Sequence, residues 1–235
     1  MENTEKRPQL ELMLEESVFE ERISRFSAWV VWRGERVLAH VPNSGRLKEL
    51  LRPGVRALVR PGGGEKTACR LMMVEYENSW ALIDSHLTND IMEYAVREGW
   101  LMDAPFDIRR EVKFGESRLD LGCRNEEGFH LVEAKCVTLV KDSVALFPDA
   151  PTQRGTRHLQ ELIRAAGSGF HAHAAFFVQQ AGAVGFAANR EMDPEFADAL
   201  EAAAAAGVEI HVIECRIDAA GITLERELPW LTQGA

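Results

Sequence analysis

The chain has 235 residues and a mass of 26.3 kDa, 46% apolar and 27% charged. That composition suits a globular protein with its own core and excludes disordered, collagen-like and coiled-coil classes; with no run of 18 apolar residues, it also excludes a membrane-spanning helix. The formal net charge of −10 argues against a surface that attracts nucleic acid everywhere, but the charge is unevenly spread. Residues 22–70 hold eleven Lys/Arg against three Asp/Glu, a local net of +8, whereas residues 86–235 hold fourteen basic and 24 acidic residues. Phosphate binding depends on the local field, so the basic window is a candidate nucleic-acid surface with Arg22, Arg25 and Lys48 among its cations. The bland alternative is a solvated Arg-rich face. The N-terminus is polar and lacks the apolar stretch of a secretory signal. The four cysteines, Cys69, Cys123, Cys136 and Cys215, form no CxxC pair, which suits a reducing cytoplasm better than a disulfide framework or a zinc knuckle.

In chain order, residues 26–32 and 36–40 are expected to be strands joined at the Arg33-Gly34-Glu35 turn. Residues 44–51 are a candidate short helix stopped by Pro53-Gly54. Residues 54–60 are a further strand, 61–64 a glycine-rich loop, and 68–76 with 80–84 a second hairpin. About five short strands and one small helix suggest a compact barrel of the OB type. From residue 89 the pattern changes to a helix over 89–99 and strands over 108–114, 117–123 and 129–139. There follow a helix over 152–166, a strand over 174–180, a helix over 194–206 and a strand over 208–215. This order predicts an α/β domain on a mixed sheet. The expected division is a nucleic-acid-binding barrel over residues 1–85 and a second domain over 86–235.

The chemistry concentrates in the second domain. Arg118 and Asp120 share one face of their strand; Glu133 and Lys135 share one face of the next. A hairpin between the strands brings Asp120 beside Glu133. Two carboxylates hold a hard divalent cation such as Mg²⁺ or Mn²⁺, and a lysine beside it orients water and offsets charge building on a phosphate. Asp120-x12-Glu133-x-Lys135 is therefore the pattern of a PD-(D/E)xK nuclease. A cross-strand ion pair is the ordinary alternative, but residues 131–137 otherwise read as a buried strand, where a charged pair is costly. On the following helix Arg154, His158 and Glu161 recur at i, i+4, i+7. Arg154 is placed to touch a phosphate; His158 is either a phosphate contact or the buried partner of a carboxylate.

Asn43, Ser44, Gly45 and Arg46 form a polar turn that either cradles a phosphate or simply caps a helix. Asp149, in a Pro-flanked turn, is expected either to cap the helix after it or to reach the site. His171-x-His173, with no carboxylate or cysteine nearby in sequence, is expected to be structural.

The chain resembles the sugar fermentation stimulation protein A (SfsA) family over nearly its whole length. The resemblance rests on His40-Val41-Pro42-Asn43-Ser44-Gly45-Arg46-Leu47-Lys48-Glu49-Leu50-Leu51, on Ser117-Arg118-Leu119-Asp120, on residues 132–139 and on residues 147–162. It implies an α/β two-domain architecture, with an N-terminal OB-fold β-barrel followed by a PD-(D/E)xK restriction-endonuclease-like α/β domain. It also implies DNA binding, linked by name to sugar metabolism, and sets Asp120, Glu133 and Lys135 at the nuclease positions. The expected activity is Mg²⁺- or Mn²⁺-dependent phosphodiester hydrolysis, with metal on Asp120, Glu133 and the carbonyl of Ala134. The expected partner is DNA, contacted by Arg22, Arg25, Asn43, Ser44, Arg46, Lys48, Arg118, Arg154 and His158. No membrane partner is expected, and a homodimer is compatible with the sequence. The rival is a non-catalytic DNA-binding regulator on the same scaffold.

Overall fold

The computed structural model describes residues 9–43, 47–48, 50–76, 79–180 and 182–232. It forms two compact units, residues 1–87 with 216–223, and residues 88–215 with 224–235.

The first unit runs through β1 (Gln9–Glu11), β2 (Glu15–Ser24), β3 (Ser27–Trp32), β4 (Glu35–His40), β5 (Arg56–Gly64), β6 (Thr67–Tyr76) and β7 (Ser79–Leu82). β2, β3 and β4 form an antiparallel meander, β2 also pairs with β5, and β5 with β6. A short parallel pairing of β4 with β6 closes the ring, so five strands make the OB barrel, with β7 hanging on β6. Its interior is Phe19, Val30, Ala39, Val59, Leu71, Val74 and Ile83, the inward residues of alternating strands. The β3–β4 turn is tight because Arg33 and Gly34 both take positive φ, 55° and 80°, the pairing that matches the strand twist.

Two expectations for this unit need correction. The glycine run 61–64 is not a loop; it continues β5, with Gly64 opposite Thr67 after a register shift. A Cβ on Gly63 would lie 2.4 Å from the Cys69 carbonyl oxygen, so the glycine lets the two backbones approach. The helix expected over 44–51 lies partly outside the described residues. Its described part is a turn in which the Leu50 and Leu51 amides both donate to the Leu47 carbonyl.

The second unit begins with α1 (Leu87–Arg97) and continues through β8 (Phe106–Phe114), β9 (Ser117–Arg124), β10 (Phe129–Val137), β11 (Leu139–Lys141) and β12 (Val144–Phe147). Then come α2 (Gln153–Gly167), β13 (His171–Val178), β14 (Gly185–Ala188), α3 (Pro194–Ala205), β15 (Glu209–Asp218) and β16 (Gly221–Glu227). The main sheet has the order β16-β15-β13-β10-β9-β8. β10, β13 and β15 are mutually parallel, joined through α2 and α3, while β8 and β9 are antiparallel additions. Residues 221–223 of β16, which group with the first unit, pair with β1. Leu159, Leu162 and Ala165 of α2 and Phe196, Leu200 and Ala203 of α3 bury against Leu131, Phe176 and Val212 of the sheet. β11, β12 and β14 form a separate small sheet that hydropathy alone did not reveal, because each is only three or four residues long.

Asp149 does not cap α2. Thr152 is the cap, its Oγ1 accepting from the Gly155 amide at 3.1 Å, and Asp193 does the same for α3 through the Phe196 amide.

Phe176 is fully buried, its ring centroid 4.5 Å from Phe186 and 5.9 Å from Phe147. Phe176→Ala leaves a cavity that parallel strands cannot collapse. It is expected to lower unfolding stability by about 3–5 kcal/mol, read from denaturant unfolding.

Candidate active site

The register Leu121↔Val132 between β9 and β10 places Asp120 and Glu133 one residue beyond that pair, each on its own strand. The Ala134 amide donates to Asp120 Oδ2 at 2.9 Å, so the Asp120 carboxylate sits against the β10 backbone. Alternation along β10 puts Glu133 and Lys135 on one face, and Lys135 Nζ reaches both Glu133 Oε1 and, at 3.3 Å, the Ala134 carbonyl. α2 brings His158 onto the same Glu133 Oε1. A carboxylate oxygen only accepts, so His158 Nδ1 carries the proton, and Nε2 accepts from Arg154 Nε at 3.4 Å.

The group is nearly dry. Glu133 and His158 are each 3% exposed in their side chains, Lys135 16%. Burial alone raises the Glu133 carboxyl, but Lys135 and His158 outweigh it and hold the group below the ordinary range. Asp120 goes the other way. Burial, then the Glu133 charge, push it up to about 6, against smaller opposing effects from Lys135, the Ala134 amide and His158. Among the described residues, Glu133 Oε2 is buried with no hydrogen-bond partner. An orphaned carboxylate oxygen beside a destabilised second carboxylate and a backbone carbonyl is a hard-oxygen donor set, which fits Mg²⁺ or Mn²⁺. Asp120, Glu133 and Ala134 therefore suit such an ion.

The other expected residues are distributed as follows. His158 is buried against Glu133 and is not placed for a nucleic-acid contact; helix spacing could not choose between these roles because the choice depends on which sheet residue the helix faces. Arg154 lies on His158. Arg118 is exposed and its ion partner is Glu111 at 3.4 Å, not a site carboxylate. Glu161, in phase with His158, is fully buried with Oε1 on the Glu116 amide and Arg164. In the first unit Arg22 donates to the carbonyls of Arg25 and Asn43, which draws these three residues together, and Asn43 Nδ2 donates to the Ile83 carbonyl. Burial, then the Arg25 charge, lower the Arg22 guanidinium. Arg25 and Lys48 are exposed; Ser44 and Arg46 lie outside the described residues.

The positive window is weaker than its residue count. Glu15, Glu16 and Glu20 of β2, just upstream, pair with Arg33, Arg56 and Arg36 across the barrel strands, and Asp84 takes Arg70. Those glutamates precede residue 22 and so lie outside the window whose net is +8.

An OB barrel followed by a restriction-endonuclease-like α/β domain with this carboxylate–lysine group defines a two-domain, nuclease-like architecture. The family model described as SfsA N-terminal OB domain matches residues 21–83, and that described as Sugar fermentation stimulation protein RE domain matches residues 86–221. The chain belongs to the SfsA family. A sugar fermentation stimulation protein homolog of Desulforamulus reducens is 39% identical over 217 residues, covering 91% of each chain. One of Alkaliphilus metalliredigens is 42% identical over 216 residues, 89% of this chain and 93% of its own. The solved structure of Pyrococcus furiosus SfsA in complex with Ca²⁺ superposes with a TM-score of 0.84 at 31% identity, over 95% of this chain and 99% of that one. Among the described residues no helix is long and apolar enough to cross a membrane.

The raised Asp120 pKa has a direct consequence for stability. A carboxyl whose folded value exceeds its unfolded one contributes stability below about pH 4 and loses it as pH rises through about 6. In metal-free protein above pH 6, the ionised Asp120 then costs at most about 3 kcal/mol. Asp120→Asn in EDTA is expected to unfold at a higher temperature than wild type at pH 7.5, with the gap closing toward pH 4.5, by calorimetry.

Proposed function

We propose that this chain is a DNA-binding protein whose second unit is a divalent-metal-dependent nuclease, hydrolysing phosphodiester bonds. The observation that carries this reading is the partnerless buried Glu133 Oε2 beside Asp120, with Lys135 at the same edge. Asp120, Glu133 and the Ala134 carbonyl would hold Mg²⁺ or Mn²⁺, which when bound supplies Lewis-acid neutralisation of the phosphate. Lys135 positions the attacking water and offsets charge that develops at phosphorus. His158, donating to Glu133 Oε1, occupies that oxygen and leaves Oε2 to the cation. Arg154, exposed and bound through Nε to the His158 ring, would offer its remaining guanidinium nitrogens to a phosphate. The Ca²⁺ complex of the Pyrococcus furiosus relative supports a hard dication in this family. In the first unit Arg22, Arg25, Asn43 and Lys48, with Ser44 and Arg46, are the proposed backbone contacts. Because ion pairs within the barrel neutralise other arginines, the number of phosphates held is small.

A second reading, a non-catalytic DNA-binding regulator of sugar-utilisation genes, is favoured by one observation: Lys135 is already bound to Glu133.

The deciding experiment measures cleavage of labelled single- and double-stranded DNA and RNA with Mg²⁺ or Mn²⁺, beside binding at two salt concentrations. Lys135→Ala and Asp120→Ala are expected to lose cutting by at least about 100-fold while retaining nucleic-acid binding. Arg25→Ala is expected to weaken binding and reduce the salt slope by about one. Tight, salt-sensitive binding with no cutting by wild type under either metal would replace the nuclease with the regulator.

A further inference from the structure

The parallel pairing of β10, β13 and β15 stacks four histidines on one part of the sheet. His130 lies opposite His171, Val132 opposite His173 and Glu209, and Ala134 opposite Ala175 and His211. Alternation puts these rows on the face opposite Glu133 and Lys135. His130 Nδ1 is 2.9 Å from His173 Nε2, and His173 Nδ1 is 3.0 Å from His211 Nε2. Glu209 Oε2 is 3.9 Å from both His173 Nδ1 and His211 Nε2.

The protons in this chain are determined by one fixed end. Asn125 Oδ1 accepts from the Glu127 and Gly128 amides, and its Nδ2 donates to the Asp103 carbonyl, so Oδ1 is the acceptor facing His130 Nε2 at 2.8 Å. His130 therefore donates from Nε2 and accepts at Nδ1. His173 donates from Nε2 and presents a bare lone pair at Nδ1. Without a ligand, the only proton between His173 and His211 is on His211 Nε2. Tautomer exchange to His211 Nδ1 leaves both nitrogens bare around the point they share with Glu209 Oε2.

That point has the dimensions of a metal site. Sides of 3.0, 3.9 and 3.9 Å form a triangle whose centre is about 2.1 Å from each corner, within the metal–nitrogen and metal–oxygen range of a zinc site. We propose that His173 Nδ1, His211 Nε2 and Glu209 form a second metal site, built for a borderline transition dication of the Zn²⁺ kind and distinct from the oxygen-donor site on the other face of the sheet. Two imidazoles and one carboxylate select such an ion over Mg²⁺ or Ca²⁺. Glu209 is 55% exposed, so the fourth position opens to water. The His130–Asn125 chain holds His173 in its binding tautomer, the outer-shell arrangement common behind metal-ligating histidines. In agreement with the geometry, burial holds His173 at about 3 and His211 at about 4, so protons do not compete for either ring. The ion would clip β13 to β15.

The test uses untagged full-length protein, stripped with EDTA, kept reduced, and titrated with Zn²⁺ in the presence of excess Mg²⁺. One equivalent of zinc is expected to bind and to raise the unfolding temperature. Glu209→Gln and His211→Gln are expected to weaken that binding at least about 100-fold, while matching wild type in EDTA by circular dichroism and melting. Co²⁺ in place of Zn²⁺ is expected to give the intense visible bands of a four-coordinate nitrogen-ligated site, and to lose them in both variants. Absence of zinc uptake, unchanged zinc affinity in both variants, or only the weak bands of six-coordinate Co²⁺ would each overturn the assignment.

Discussion

The site depends on burying Glu133. A carboxylate inside a sheet is tolerated only when its charge is met, and here one oxygen, Oε1, receives both the Lys135 ammonium and the His158 imidazole. Those two partners come from the same strand and from α2, so the pair of contacts also fixes how α2 lies on the sheet. Among the described residues the other oxygen has no hydrogen-bond partner, and Asp120 beside it is pushed toward its neutral form. The arrangement keeps one half of a buried carboxylate saturated and the other half unmet. An apolar strand would be more stable and would have no such half. The deficit is therefore local strain retained at a candidate functional position.

The main sheet carries polar chemistry on both faces, the oxygen donors coming from β9 and β10 and the histidine row from β10, β13 and β15. On the helix-covered face the sheet offers oxygen donors; on the opposite face it offers the histidine row. Parallel pairing is what makes this economical in chain. Each strand advances in the same direction, so residues at matched positions on β10, β13 and β15 line up across the sheet even though loops and helices separate them in sequence. A carboxylate or imidazole at one position then finds neighbours at fixed spacing, and hydrogen bonds between the rings set which nitrogen is bare.

Electrostatics on the barrel illustrates the limit of counting. The basic window looked strongly positive by residue count, but β2 lies beside β3 and β5, and its glutamates reach Arg33, Arg36 and Arg56. Exposed ion pairs of this kind add little stability, yet each removes a charge from the field that a phosphate would sense. Arg22 lies against Arg25 and Asn43, whose backbone carbonyls hold its guanidinium in place.

The sequence by itself determined the class of each half, because both signals are local. Alternation and turn residues marked the barrel strands, and the helical stripe of Leu159, Leu162 and Ile163 marked α2. It also determined the Asp120, Glu133 and Lys135 group, since a two-residue period and one hairpin suffice to predict that juxtaposition. The short strands β11, β12 and β14 escaped because three or four residues carry too little periodicity, and the glycine run in β5 because a bulged strand and a loop share a composition. Only the tertiary structure decided that His158 belongs to Glu133 and that Glu209 and His211 complete what His173 begins. Those contacts join residues 25 to 38 positions apart through packing and strand register. No local rule specifies which of several chemically suitable partners the register will deliver.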